Sequence, residues 1–190
     1  MKELLTFLPL LIFSFINGNT QFPYQLKSAK IDFVFSNGVQ SGTKTLIFTD
    51  SGRTEKSFAT TFTDRSLFKA LIPQAVVNKT SSRIMVIQTK DSVFTIDLNL
   101  LVGSRRQRFN LNQSSIIEDQ KKYIGVDTFL KKKCEIVDFQ GFKIWYWKGI
   151  ALKKEMIIDD QKIYEYATSI DEHYLIRADE FQIPGTAKMQ

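Results

Sequence analysis

The chain has 190 residues, with 26 Lys and Arg against 20 Asp and Glu for a net charge of +6, and it carries a single His and a single Cys. One Cys excludes an internal disulfide, and one His with one Cys falls short of the three or four ligands that zinc sites take. The length fits one domain able to bury roughly 70% of its unfolded-chain surface without covalent staples.

Residues 1–20 begin with Lys2 and Glu3, run apolar over residues 4–16 and end in Asn17-Gly18-Asn19-Thr20. That order is the three-part pattern of a secretory leader. Thr6, Pro9 and Ser14 interrupt the apolar run. It is shorter than the roughly 20 residues of a membrane-spanning helix. Cleavage is expected before Gln21, or after Gly18. The mature part, residues 21–190, is then one unanchored domain, periplasmic or secreted.

From residue 21 onward, apolar and polar residues alternate as in half-buried strands. Ile31, Phe33 and Phe35 share a face in a strand over residues 30–35, and Asn37-Gly38 reads as a tight turn. A second strand carries Leu46 and Phe48 and stops at Asp50-Ser51-Gly52. A third carries Phe58, Thr60 and Phe62. Residues 66–78 change to helical spacing around Pro73, which predicts one or two short helical turns packed on the sheet. A hairpin is expected over residues 83–88 and 92–98 around Lys90-Asp91. Residues 103–122, rich in Arg, Lys, Asn and Gln, read as a loop or frayed edge.

Four strands follow, over residues 133–139, 142–147, 150–158 and 162–170, joined at Gln140-Gly141, Lys148-Gly149 and Asp159-Asp160. In the third of them Ile150, Leu152, Met156 and Ile158 share a face that Lys154 interrupts. Trp145 and Trp147 alternate with Ile144 and Tyr146. Large groups on both faces of that strand fit a central strand covered on both sides or a strand lining an apolar cavity. Residues 181–185 close the chain as an apolar hook and a turn.

The inventory for catalysis is thin. His173 sits in the polar turn Asp171-Glu172-His173-Tyr174 and is expected in solvent, and Cys134 reads as a small buried hydrophobe. Gly-x-Ser-x-Gly, phosphate-loop and dinucleotide fingerprints are absent from the sequence. The carboxylate pairs Glu118-Asp119, Asp159-Asp160 and Asp179-Glu180 read as solvated, whereas acid catalysis needs one carboxyl buried. No catalytic residue, metal ligand or cofactor is therefore assigned. Asn78-Lys79-Thr80 and Asn112-Gln113-Ser114 fit the glycosylation sequon.

The basic clusters are Arg105-Arg106-Gln107-Arg108, Lys131-Lys132-Lys133 and Lys153-Lys154. They read as a solubilising face, with Arg105, Arg106 and Arg108 as candidates for contact with anionic head groups or a membrane surface. Without a nucleic-acid motif and behind an export leader, nucleic acid is the least favoured partner.

The later part of the chain carries Gly125-Val126-Asp127-Thr128, Ile144-Trp145-Tyr146-Trp147-Lys148-Gly149-Ile150-Ala151-Leu152-Lys153, Ala167-Thr168-Ser169-Ile170 and Phe181-Gln182-Ile183-Pro184. Over residues 120–186 it resembles small exported proteins related to the periplasmic lipoprotein carriers (LolA/LolB-like), in the uncharacterised branch common in Bacteroidetes. The resemblance implies a mainly β (α+β) fold, a curved antiparallel sheet forming an unclosed half-barrel with short helices on its concave side. It also implies a cavity for acyl chains.

The expected function is non-enzymatic binding of a lipid, acyl chain or other apolar or amphipathic ligand. Phe33, Phe35, Phe48, Trp145, Ile150, Leu152 and Met156 are the expected lining. The alternative is a structural or protein-interaction module of the cell envelope whose sheet is filled by its own side chains.

Overall fold

The structure, a computed structural model, describes residues 24–63, 80–108, 121–158 and 160–189. The alternating pattern resolves into β1 (Ala29–Ser36), β2 (Gln40–Thr49), β3 (Thr54–Thr63), β4 (Thr80–Gln88), β5 (Ser92–Asp97) and β6 (Val102–Gln107). It continues through β7 (Lys121–Phe129), β8 (Lys132–Phe139), β9 (Phe142–Trp147), β10 (Ile150–Ile158), β11 (Gln161–Asp171) and β12 (Lys188–Met189). All twelve form one unclosed sheet in the order β12-β6-β5-β4-β3-β2-β1-β11-β10-β9-β8-β7.

Two antiparallel meanders, β1–β6 and β7–β11, are thus joined where β11 returns to pair with β1, from Lys30↔Asp171 to Ser36↔Tyr164. Their hairpins are tight for a local reason. Leu130-Lys131, Gln140-Gly141 and Lys148-Gly149 each place both residues at positive φ, the turn geometry whose twist matches that of the flanking strands. At the first turn the Asn37 carboxamide oxygen accepts from the Gln40 and Val39 amides at 2.7 and 3.2 Å. Register shifts at Asp32/Phe33, Ala151/Lys153 and Tyr123/Gly125 mark bulges, where a sheet bends and twists more strongly.

The expected short helices on one side of the sheet need correction. Among the described residues the helical structure amounts to a 3-10 turn at Asp50–Gly52, so the fold is nearly all β rather than α+β. The helical reading of residues 66–78 lies outside the described residues, as do the leader, Asn78, Asn112, Glu118-Asp119 and Asp159.

One face of β2–β5 buries Ile47, Ile87 and Ile96, and apolar surface of that kind has to be covered. The C-terminal segment lies over this part of the sheet. Lys56 Nζ donates to the Glu180 backbone oxygen at 2.7 Å and its Oε1 at 3.1 Å. The Lys188 amide donates to the Leu101 carbonyl at 2.9 Å. Glu180 is therefore an ion-pair partner and not the solvated acid expected of the Asp179-Glu180 pair.

The loop reading of residues 103–122 is also corrected. β6 occupies Val102–Gln107 and β7 starts at Lys121, while residues 109–120 lie outside the described residues. β6 hid because residues 104–107 are exposed, so no apolar alternation marks them. On β9, Ile144, Trp145 and Trp147 are all buried, so this strand is covered on both sides.

Cys134 is fully buried, with Sγ 3.4 Å from the Lys132 carbonyl oxygen. Burial pushes its thiol up from the ordinary range. In the folded protein it is expected to react with a disulfide reagent at least about 100-fold more slowly than in urea; comparable rates in the two conditions would contradict this burial.

Candidate functional site

Register alone gathers a set of polar side chains on one face of the sheet. Phe33 on β1 stands opposite Lys44 on β2, Phe35 stands opposite Glu165 on β11, and Glu165 stands opposite Lys154 on β10. Phe33 and Phe35 alternate along one strand, so all five share a face. Further along the same face, Ala29 faces Phe48 and Phe48 faces Glu55, while Gly42 faces Thr61.

The centre of this face is charged and almost dry. Glu165 takes Lys44 Nζ on Oε2 at 2.7 Å and Lys154 Nζ on Oε1 at 3.1 Å. Side-chain exposures are 12% for Lys44, 4% for Glu165 and 1% for Lys154. Lys44 Nζ also lies 4.6 Å from the centre of the Phe33 ring, so the ammonium is held between a carboxylate and an aromatic face.

The protonation equilibria follow from burial and pairing. Burial by itself would raise the Glu165 carboxyl, but the ammonium groups of Lys154 and Lys44 outweigh it and hold the group at about 2. Lys154 is lowered as well, but there burial wins over pairing, and Glu165 only partly offsets it. Glu55 is raised by burial, against a hydrogen bond from Tyr24 and the fields of Arg108, Lys44 and Lys154. This face thus joins a permanent carboxylate, two amines and a second carboxyl biased toward its neutral form.

Thr61 adds an orphan. Its hydroxyl is buried and has no hydrogen-bond partner among the described residues. A buried polar atom left without one costs about 1–3 kcal/mol. It lies opposite Gly42, beside the Lys44–Ala59 pair.

The residues expected to line a ligand site separate into two groups. Phe33, Phe48, Trp145, Ile150 and Leu152 belong to one buried cluster together with Tyr24, Ile31 and Trp147. Within it, Trp145 pairs with Lys153, and Lys153 with Tyr166, the side of β10 away from Lys154. Its indole nitrogen donates to Asp127 Oδ2 at 3.2 Å. Phe35 and Met156 are half-buried and outside the cluster.

Arg105, Arg106 and Arg108 are divided by the strand's alternation. Arg105 pairs with Phe94, lies 5.5 Å from its ring and donates to Ser92 Oγ. Arg106 is exposed opposite Val93, and Arg108 donates to the Thr89 carbonyl oxygen at 3.0 Å.

Sequence reasoning missed Lys44, Glu55, Thr61 and Glu165. A signal was present for two of them: Lys44 continues the Phe48, Leu46 alternation, and Glu165 stands between Ile163 and Ala167 in the same period. A charged residue at an inward position in each of two strands marks a buried pair when the strands lie close in the sheet, here on either side of β1. That adjacency is not local information.

No family model matches the chain, and no curated protein matches it. Among solved structures it is similar to an uncharacterized conserved protein from Thermus thermophilus, with a TM-score of 0.57 and 8% identity over 88% of this chain and 91% of that one. It is also similar to MucB, with a TM-score of 0.51 and 10% identity over 92% of this chain and 63% of MucB. At these identities the likeness concerns the fold alone.

Proposed function

We propose that the chain is an exported, non-enzymatic binding protein that holds an apolar or amphipathic ligand, such as a lipid or an acyl chain, on the Phe33 face of its sheet. The observation that carries the reading is the Lys44–Glu165–Lys154 set inside an apolar wall, with the unpartnered Thr61 hydroxyl beside it. Ligand sites are built of apolar walls with a few convergent polar groups and shifted titrations. Lys44, the most exposed of the three, is the group suited to an anionic end of the ligand. The leader pattern and the resemblance of residues 120–186 to lipoprotein carriers point the same way.

Thr61→Val separates an occupied face from a self-filled one. With an empty face the variant gains about 1 kcal/mol, because an orphan hydroxyl is removed. With ligand use it also loses affinity for a fluorescent fatty acid, and Lys44→Met is expected to lose about 10-fold. Protein recovered empty from its own compartment that takes up no fatty-acid probe would sink the reading. The burial of Phe33, Phe48, Ile150 and Leu152 against one another favours the second reading, an interaction module with a self-filled sheet, and that module gains stability in Thr61→Val without any ligand effect.

A further inference from the structure

The strand register sends both large basic clusters to the same end of the sheet. β6 ends at Gln107 opposite Ser92, and the Arg108 amide donates to the Asp91 carbonyl, which places Arg106 and Arg108 at the β4–β5 turn. That turn is beside the β2–β3 turn, because Gln88 pairs with Glu55 and Phe48 pairs with Glu55. Phe48 in turn pairs with Ala29 at the start of β1. The Lys148 carbonyl accepts from the Gln25 amide at 3.0 Å, which puts the β9–β10 turn at this end. The β7–β8 turn joins it: Glu172 binds both Lys132 and Lys148, and these two lysines lie 4.7 and 4.8 Å from the Trp147 ring centre.

Along that rim stand Lys27, Lys30, Arg53, Lys90, Arg106, Arg108, Lys131, Lys132, Lys133 and Lys148, against Asp50, Glu55, Asp91, Asp171 and Glu172 among the described residues. At the opposite end Arg83, Lys121, Lys122, Lys143, Lys162 and Lys188 stand against Asp97, Asp138, Glu155 and Asp160. Among the described residues the larger positive excess is therefore at the first of these ends. Within it the tip of the β7–β8 hairpin presents Leu130, 37% exposed, at positive φ and followed by three lysines.

We propose that this rim docks on a bilayer containing anionic lipids, with Leu130 entering the interface and the surrounding lysines on head groups. A cationic rim gains about 1 kcal/mol per Lys near an anionic leaflet, and an apolar tip among the lysines suits a surface that offers hydrocarbon as well as charge. A polyanionic glycan uses the charges but not Leu130. The docking surface is separate from the Phe33 face and stands whether or not that face carries a ligand.

The test is co-sedimentation of the purified protein with vesicles of phosphatidylcholine alone or with about one third phosphatidylglycerol. Binding to the anionic vesicles and little to the neutral ones is expected, weakening with added salt. Lys131→Gln with Lys133→Gln, both exposed, is expected to weaken it about 20-fold. Leu130→Asn, a residue that tolerates the left-handed turn, weakens vesicle binding and leaves heparin binding unchanged. Equal binding to neutral vesicles, binding to heparin without binding to vesicles, or vesicle binding that survives the lysine and leucine changes overturns the proposal. Unchanged circular dichroism confirms that the variants fold.

Discussion

Glu165→Gln is expected to destabilise the protein by about 3–5 kcal/mol, the cost of removing one partner from a buried ion network. For a domain of this size that is a fall of roughly 10 °C in melting temperature. The amide cannot neutralise two ammonium groups, and Lys154, at 1% side-chain exposure, has little access to water. Replacing the whole set, as Lys44→Met, Lys154→Met and Glu165→Leu together, is expected to recover most of the loss, since a buried ion network adds little over apolar packing. A triple variant less stable than Glu165→Gln would show that the network does more than cancel its own desolvation.

The same carboxylate makes the largest contribution to the acid limb of the stability profile, ahead of Glu155 and Glu172, which their lysine partners also hold below the ordinary range. Its folded pKa of about 2 is below the ordinary 4.5, so the unfolded chain takes the proton first. Its contribution is complete above about 4.5 and is lost as pH falls toward about 2, on the order of 3 kcal/mol in all. Glu55 works with the opposite sign: its folded pKa is raised, so stability declines as pH rises from 4.5 through that raised value. Urea midpoints measured across pH should show Glu165→Gln removing most of the acid loss and Glu55→Gln flattening the decline above it. An acid limb that persists largely intact in Glu165→Gln would assign it to other carboxylates.

Gly42→Ala is expected to cost about 3 kcal/mol, at the upper end of overpacking. A Cβ at Gly42 would stand 2.0 Å from the Thr60 carbonyl oxygen and 2.8 Å from Phe35 Cζ. The first of these is backbone within the β2–β3 ladder and cannot rotate aside. Gly185→Ala is the control, because a Cβ there meets nothing within 4 Å. A chemical melt in which the two variants match would refute the close approach of β2 and β3 at this point.

Much of the strand pattern was legible along the chain. β1, β2, β3 and the hairpins from β8 to β11 show period-two alternation with turn residues between, and the inward position of Lys154 is visible in the β10 stripe itself. β6 and β7 were not legible, because β6 exposes Ser104, Arg105, Arg106 and Gln107 while β7 exposes Tyr123, Ile124 and Val126. Strands near a sheet edge lack the burial contrast that periodicity detects.

Local chemistry by itself determined the β class, the turn positions, the burial of Cys134 and the exposure of His173, since these depend on alternation, on residues suited to positive φ and on immediate neighbours. Tertiary structure decided the rest. The partnership of Glu165 with Lys44 and Lys154 depends on β11 lying beside both β1 and β10, and Lys44 reaches Glu165 across 121 residues of chain. The covering of Ile47, Ile87 and Ile96 depends on where the C-terminal segment returns. The gathering of Arg106, Arg108 and Lys131–Lys133 at one rim depends on strand direction. Ion pairing, covering and charge segregation are properties of adjacency in space, and strand order, which sets that adjacency, has no signature within a single strand.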